Sequence, residues 1–327
     1  LGTFQNTGYE FTVNANILRS KTGVNIDAGA NISFVKNKIL KLPYNGQENN
    51  RQGGFQIYDP KQGKVIWVSG LQQGQTLGAV YGYKQLSIFQ TDAEVASIAG
   101  NRYDQIANIT GPNLSFGAGK ITAGDVNWLD VDKNDTIDTR DQVYLGNINP
   151  KYTGGFSATV AYKRFSFYSR FDFAVGHLLY NDLVARVMGN YQGTFNFMNL
   201  TKEGFSGDNS RKDIPKVYWA DQVGAPNGKK NLTRANNAGQ VLQGNNSNLY
   251  EKGDYLACRE ITLSYDVDKA LLSKTKVLSN ARVYFNANNL FYITKFSGNS
   301  PEPKGNGIFA GNYPTPKSYV IGVQVTF

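Results

Sequence analysis

The sequence GGFSATVAYKRFSFYSRFDFAVG, residues 154–176, decides the fold. On each side of Lys163 and Arg164, aromatic and aliphatic side chains alternate with small or polar ones. This period of two predicts β-strands at residues 154–164 and 165–176, joined by a very tight turn. A row of outward aromatic side chains is an aggregation hazard in water but is suited to lipid. The stretch therefore predicts a hairpin of a transmembrane antiparallel β-barrel.

Composition is compatible with such a barrel and excludes several other classes of protein. The chain of 327 residues has 19 Phe and 20 Tyr, as aromatic girdles require, and its mean hydropathy is −0.41. Barrels average out as polar because only alternate residues face lipid. The net charge of +9 comes from scattered Lys and Arg residues, so we do not expect a nucleic-acid partner. Loops that face anionic lipopolysaccharide carry such charge equally well.

Catalytic and metal-binding chemistry is limited by the residue inventory. Cys258 is the single cysteine and His177 the single histidine, which rules out a disulfide framework and a multi-histidine metal site. No nucleophile lies near His177 in the sequence, so we do not expect an enzyme. Cys258 is predicted to be a packed thiol on the polar side of its strand.

The same alternation recurs in five further segments and predicts an all-β chain of seven membrane-spanning strands. The five additional strands are predicted at residues 8–20, 25–37, 255–267, 280–292 and 318–327. Their connections alternate between short turns and long loops, at residues 38–153, 177–254 and 293–317. Barrels place their long loops on the extracellular side. Seven strands do not close a bacterial barrel, whose strand number is even, so we expect the C-terminal arc of a larger barrel.

Two residues do not fit the predicted faces. Strict alternation places Arg259 and Asn289 on the apolar, outward side. Arg259 is tolerable there if it lies at the headgroup end of its strand, where charge costs less. The alternation offers no explanation for Asn289.

An acidic segment in the first long connection has the spacing of a calcium-binding loop. Oxygen-bearing residues occupy positions 1, 3, 5, 7, 9 and 12, and an apolar residue occupies position 8. Position 6 is Asp135 instead of glycine, and position 12 is Asp instead of Glu. A structural Ca²⁺ and an acidic turn satisfied by its own backbone amides both remain open. The candidate ligands are Asp130, Asp132, Asn134, Thr136, Asp138 and Asp141.

Five segments in a fixed order resemble the C-terminal part of the SusC/RagA class of TonB-dependent outer-membrane transporters. They are residues 77–91 (LGAVYGYKQLSIFQT), 146–156, 250–265 (YEKGDYLACREITLSY), 288–302 (NNLFYITKFSGNSPE) and 313–327, which end in a terminal Phe. The resemblance implies a 22-stranded barrel in the outer membrane of a Gram-negative bacterium. It also implies an N-terminal plug, which this sequence lacks, an energy supply through TonB, and a SusD-like lipoprotein lid.

The resemblance implies active import of oligosaccharides or peptides, in contact with outer-membrane lipid and lipopolysaccharide. Two alternatives remain open at this point. A calcium-braced surface binding or adhesion module would be a soluble monomer without transport activity. A soluble glycan-active enzyme would need a pair of carboxylates at catalytic separation, drawn from residues such as Glu10, Asp27 and Asp172.

Overall fold

The computed structural model describes residues 2–97, 123–134, 137, 139–187, 198–205, 207–216, 247–302 and 305–327. The strands are β1 (Thr3–Arg19), β2 (Val24–Lys41), β3 (Phe55–Asp59), β4 (Lys64–Val68), β5 (Ala79–Tyr83), β6 (Gln85–Ile88), β7 (Val126–Trp128), β8 (Gln142–Asn147), β9 (Tyr152–Tyr162), β10 (Phe165–Val175), β11 (Leu178–Asn181), β12 (Tyr250–Lys252), β13 (Tyr255–Asp266), β14 (Asn280–Thr294), β15 (Ile308–Phe309) and β16 (Ser318–Thr326). Short helices are α1 (Asp92–Ala96), α2 (Asp182–Val187) and α3 (Lys269–Leu272).

Seven long strands form one antiparallel sheet in the order β1-β2-β9-β10-β13-β14-β16. Every neighbour in this order is also the next of these strands along the chain, so the sheet is a simple up-and-down meander. The predicted fold class, an all-β arc of seven antiparallel strands, is confirmed. At the edges, β1 and β16 pair with no described strand other than β2 and β14. Among the described residues, no helix is both long enough and apolar enough to span a membrane.

The sheet has one apolar face and one polar face. Its cross-strand pairs match like with like: Phe11 pairs with Ile32, and Ala30 pairs with Phe156. The apolar side chains are open to the surroundings, with exposed fractions of 59% for Phe11 and 79% for Ile321. The opposite face carries amide, hydroxyl and charged groups from alternate positions of the same strands. A row of exposed aromatic and aliphatic side chains on this scale is what lipid requires and water disfavours.

A β-bulge in β13 corrects the prediction for Arg259. Phe171 pairs with Cys258, whereas its neighbour Arg170 pairs with Glu260, so Arg259 is an extra residue in its strand. A bulge shifts the alternation of side chains by one position. The Arg259 side chain therefore turns to the polar face instead of toward lipid. A sequence pattern with a fixed period of two has no means of showing this shift.

The same bulge reverses the predicted faces of the residues that precede Arg259. Ala257 pairs with Asp172 on the polar face, and Cys258 pairs with Phe171 on the apolar face. The prediction that Cys258 lies on the polar side is therefore wrong. The prediction of a packed thiol agrees with the burial of this residue, which has an exposed fraction of 0%.

Asn289 is part of the matching irregularity in β14. Cys258 pairs with Phe291 and Glu260 pairs with Asn288, so β14 has one residue more than β13 at this level. Asn289 has a φ of 52°, a left-handed conformation that asparagine tolerates better than most residues. Its side-chain amide donates a hydrogen bond to the carbonyl of Pro316, 3.3 Å away. Asn289 therefore adopts the left-handed conformation that this position requires, and its hydrogen bond connects β14 to the segment before β16.

The three long connections emerge from one end of the sheet and pack on one another. Tyr83, Trp128 and Ile137 of the first connection are buried in one apolar cluster, against which Phe205 of the second connection packs. A small sheet joins β12 and β11 of the second connection to β15 of the third. The described parts of the connections are therefore folded and form a layer above the strand ends, as the length of the connections requires.

Candidate functional site

The polar face of the sheet forms a shallow open groove of about 560 Å³ across five neighbouring strands. Its walls offer hydroxyl, amide, guanidinium and carboxylate groups as well as exposed backbone at glycines. Such a mixture suits a polar surface or a hydrated ligand better than an apolar one. The polar side chains that line the groove belong to Thr12, Asn14, Asn31, Ser157, Arg170, Asp172 and Arg259.

Arg259 is the centre of an ion cluster at the upper part of this face. Its Nε lies 2.7 Å from Oδ1 of Asp172 on β10, and its Nη2 pairs with Oε1 of Glu302. Nη1 donates to the hydroxyl of Tyr292, 3.2 Å away, and that hydroxyl donates to Oε2 of Glu302 at 2.9 Å. One guanidinium thus joins three strands of the sheet, β10, β13 and β14, to the third long connection, to which Glu302 belongs. The sequence pattern missed this cluster, although a charge at an apolar position was its signal.

The electrostatics of the cluster favour the charged form of the Glu302 carboxyl. The Arg259 side chain is only 15% exposed, so solvent screens it weakly. Burial raises the pKa of the Glu302 carboxyl, but hydrogen bonds from Arg259, Tyr255 and Tyr292 outweigh burial and hold the pKa below its ordinary value. The Glu302 carboxylate therefore remains ionised at neutral pH, and its pairing with Arg259 holds the third connection against the sheet.

Two of the three carboxylates considered for an enzyme are in ion pairs. Asp172 binds Arg259, and Asp27 lies 2.5 Å from Nη2 of Arg19. Arg19 reaches the polar face through a second bulge, because Asn16 pairs with Asp27 while Leu18 pairs with Ile26. The guanidinium partner thus occupies carboxylate oxygens that an acid–base catalyst needs for its substrate. The arrangement does not favour acid–base catalysis.

The acidic loop brings three of its predicted calcium ligands together. Carboxylate oxygens of Asp130, Asp132 and Asp141 all lie within 4.8 Å of one another. Thr136 and Asp138, two further predicted ligands, lie outside the described residues. Hard carboxylate oxygens at this spacing fit Ca²⁺, which takes six to eight oxygen ligands.

The same carboxylates also accept hydrogen bonds from within the loop. Oδ1 of Asp141 accepts from the Val131 amide at 2.7 Å, and Oδ1 of Asp130 accepts from the Lys133 amide at 2.8 Å. Asn134 turns its side-chain Nδ2 toward Oδ2 of Asp132, 3.1 Å away. Both interpretations from the sequence, a calcium loop and a self-satisfied acidic turn, are therefore represented in the geometry, and calcium stays a prediction.

His177 lies at the junction between β10 and the second long connection. Burial lowers its pKa below the ordinary value, more than the charge of Asp254 and a hydrogen bond to the Pro301 carbonyl raise it. A Cβ at Gly253 would lie 2.3 Å from Nε2 of this histidine, so only glycine fits against the ring. His177 is thus a packed, neutral residue of the junction.

In sequence, the chain is similar to several TonB-dependent receptors. It is 24% identical to TonB-dependent receptor P3 of Formosa agariphila, over 100% of this chain and 29% of that protein. It is 22% identical to TonB-dependent receptor SusC of Bacteroides thetaiotaomicron, over 100% of this chain and 27% of that protein. The chain thus spans less than a third of the length of these relatives. No family model matches it.

Solved structures show the same fold. The RagAB peptide transporter matches with a TM-score of 0.66 and 21% identity, over 100% of this chain and 29% of that one. The RagAB peptide importer in its open-open state matches with a TM-score of 0.64, also at 21% identity. The resemblance to SusC/RagA-type TonB-dependent transporters, inferred from five segments, is confirmed along the full chain. The names of these proteins describe receptors and importers and mention no enzymatic activity.

Proposed function

We propose that the chain is part of the barrel wall of an outer-membrane, TonB-dependent importer of oligosaccharides or peptides. The observation that carries this proposal is the match of the whole chain to TonB-dependent receptors, together with a sheet that is apolar on one face and polar on the other. The wall itself performs no chemistry. It separates lipid from a polar interior and anchors the long connections at one end.

The apolar face supports the location in a membrane. Phe11 and Val13 on β1 have exposed fractions of 59% and 64%, and Ile321 on β16, at the other edge of the sheet, has 79%. Such a surface would drive a water-soluble protein to aggregate, so the alternative of a soluble, calcium-braced surface module is not favoured. In the proposed arrangement, the long connections face the extracellular side.

The layer of long connections is the proposed binding platform for a SusD-like lipoprotein lid. The relative named SusC and the RagAB transporter support this partnership by analogy. The layer has its own buried cores and a small sheet that joins two connections, so it offers a preformed surface. Contact with TonB and with a plug would involve segments beyond this chain.

A calcium ion in the acidic loop is a further part of the proposal. Asp130, Asp132 and Asp141 supply converging oxygens, and Ile137 at the apolar position 8 is completely buried in the core of the first connection. An ion there would brace the loop against that core. The role that we propose for this ion is structural.

Affinity purification of the full-length protein that contains this chain tests the proposed function. We expect it to fractionate with outer membranes, to require detergent for extraction, and to copurify with a lipoprotein lid. Deletion of its gene should abolish growth on an oligosaccharide or peptide mixture that the parent strain uses, and a tonB deletion should have the same effect. Recovery as a detergent-free soluble protein would contradict the proposal.

A further inference from the structure

We propose that the apolar face of β1, β2 and β9 carries a binding site for an anionic phospholipid or glycolipid, with a groove for an acyl chain and lysines for the phosphate. This inference rests on the proposed membrane location and adds to it a defined site with a defined ligand class. Three features of one strip of the sheet carry it: a groove, an aromatic row and a cluster of lysines.

The groove lies on the apolar face, where the small Ala30 on β2 stands among large apolar side chains. It has a volume of about 280 Å³ and almost wholly apolar walls. Its apolar side chains come from Phe11, Val13, Ala30, Ile32, Phe156 and Phe173, with Asn31 and Gly155 beside them.

An aromatic row borders the groove on the side of the long connections. Phe34 makes edge-to-face contacts with Phe11 and Tyr152, with ring centroids 6.2 Å and 5.1 Å apart. Rows of this kind mark the level at which hydrocarbon gives way to headgroups. A chain in the groove would therefore have its headgroup just beyond Phe34 and Tyr152.

Lysines stand at that position. Lys36 and Lys38 follow Phe34 on the same face of β2, about 6.6 Å apart along the strand. Both are exposed, and no ion pair joins either of them to a described carboxylate. The ammonium group of Lys151 lies 5.1 Å from the centre of the Tyr152 ring, on the neighbouring strand. Three cations thus lie beyond the aromatic row, at the level where a phosphate would lie.

The spacing of the parts agrees with one lipid molecule. Ile32 in the groove and Lys36 are four residues apart, a distance of about 13 Å along a strand. That length holds the first carbons of an acyl chain and the linkage to a phosphate. The outward face of a barrel strand borders lipid and not another strand, so the strip stays accessible in a closed barrel. The geometry therefore selects a lipid over a soluble anion.

Native mass spectrometry of the full-length protein in detergent tests this site. After delipidation, the protein is titrated with phosphatidylglycerol and, separately, with zwitterionic phosphatidylcholine. We expect discrete binding of phosphatidylglycerol in preference to phosphatidylcholine. The double variant Lys36→Gln/Lys38→Gln should bind about 25-fold more weakly, since each lysine near an anionic lipid contributes roughly fivefold, or about 1 kcal/mol.

Matched variants separate the headgroup from the groove. Lys269→Gln/Lys274→Gln removes two exposed lysines at the opposite end of the sheet and should leave the affinity unchanged. Ala30→Phe fills the groove without altering charge and should weaken binding about tenfold or more. Val160→Phe adds the same bulk to the apolar face outside the groove and should have little effect.

Three results would overturn the site. If the two double lysine variants lost equal affinity for phosphatidylglycerol, the attraction would be a diffuse effect of net charge and not a defined site. Displacement of phosphatidylglycerol by inorganic phosphate, with no effect of Ala30→Phe, would show a free-anion site. If phosphatidylcholine bound as tightly as phosphatidylglycerol, the lysines would not recognise an anionic headgroup. A protein that needs detergent but gives any of these results refutes the lipid site alone, whereas a detergent-free soluble protein refutes the membrane location itself.

Discussion

Removal of the Arg259 guanidinium should release the third long connection from the sheet. Arg259→Met keeps the length of the side chain but leaves Asp172 and Glu302 without their common partner. Charge-assisted hydrogen bonds contribute about 1.5–3 kcal/mol each when buried. The side chains of Asp172 and Glu302 are 39% and 28% exposed, so screening reduces this to about 1–2 kcal/mol for each carboxylate. We expect a total loss of about 3 kcal/mol.

Hydrogen exchange localises this loss. A change of about 3 kcal/mol in local opening corresponds to a roughly 100-fold faster exchange of the amides that the cluster protects. These amides lie in β13 around Arg259 and in residues 296–302, since the cluster joins them. Glu302→Gln removes one charge and keeps the shape, so its effect should be smaller, about fivefold to tenfold.

Arg282→Gln is the matched control. Nε of Arg282 lies 2.6 Å from Asp266, but both side chains are more than 40% exposed, so this surface pair contributes little. We expect less than a threefold change near β14. If Arg282→Gln and Arg259→Met altered exchange equally, or if residues 296–302 kept their protection in Arg259→Met, the coupling between sheet and connection would be refuted.

Four further predictions concern other parts of the chain. The folded pKa of Glu302 is depressed, so its contribution is complete above the ordinary pKa of 4.5 and is lost as pH falls through the folded pKa. Exchange in residues 296–302 should therefore accelerate in acid, and Glu302→Gln should remove that dependence. Calcium should slow proteolysis of the first connection, and the double variant Asp130→Asn/Asp132→Asn should abolish this protection. Peptide mapping with and without a chelator measures the effect. Equal cleavage under both conditions would indicate an acidic turn satisfied by its own backbone amides. Asn289→Ala should lower the free energy of unfolding by about 1 kcal/mol, because alanine is strained at a φ of 52°. Asn289→Gly should lose only the hydrogen bond to the Pro316 carbonyl. Thermal unfolding of the two variants in detergent compares these losses. Phe167→Lys should cost about 2–4 kcal/mol or block membrane assembly, whereas Ser166→Lys on the polar face should be tolerated, which heat-modifiable gel mobility distinguishes.

The strands of the sheet could be predicted from the sequence because the alternation of apolar and polar residues is a local pattern. In residues 154–176, each face repeats every second residue, and the turn at Lys163 separates two runs without interruption. The same holds for β16, where Ile321 and Val323 lie on the apolar face. The observed strands extend beyond the predicted ones, for example β1 from Thr3 instead of residue 8, because pairing with β2 continues past the alternating part.

The bulges could not be predicted from the sequence, because a bulge is defined by the pairing of one strand with its neighbour. Arg259 is an extra residue only in comparison with β10, and Asn289 only in comparison with β13. A period-two pattern counts along one strand and has no reference for such a shift. The alternation therefore placed Arg259 on the lipid-facing side, whereas Arg259 is the centre of the ion cluster on the polar face. A charge in an apolar row is thus a sequence signal for a bulge.

The long connections were readable only at their local motifs. Thr91 and Glu94 have the spacing of a capping box, and Thr91 caps α1, where its hydroxyl accepts from the Glu94 amide at 3.2 Å. The spacing of the acidic loop correctly indicated that its carboxylates converge. The cores that hold the connections together join residues more than a hundred positions apart, such as Tyr83 and Phe205, and no local pattern encodes these contacts.

The most direct test of the central claim is a spin-label scan of β10 in the full-length protein reconstituted in bilayers. Single cysteines at residues 165–175, in a Cys258→Ser background, report their contact with oxygen in lipid and with a polar nickel reagent in water. The account predicts oxygen accessibility at Phe165, Phe167, Phe171, Phe173 and Val175, and its absence at the alternate positions from Ser166 to Ala174. If both sets were accessible to the nickel reagent, the sheet would not be a membrane wall.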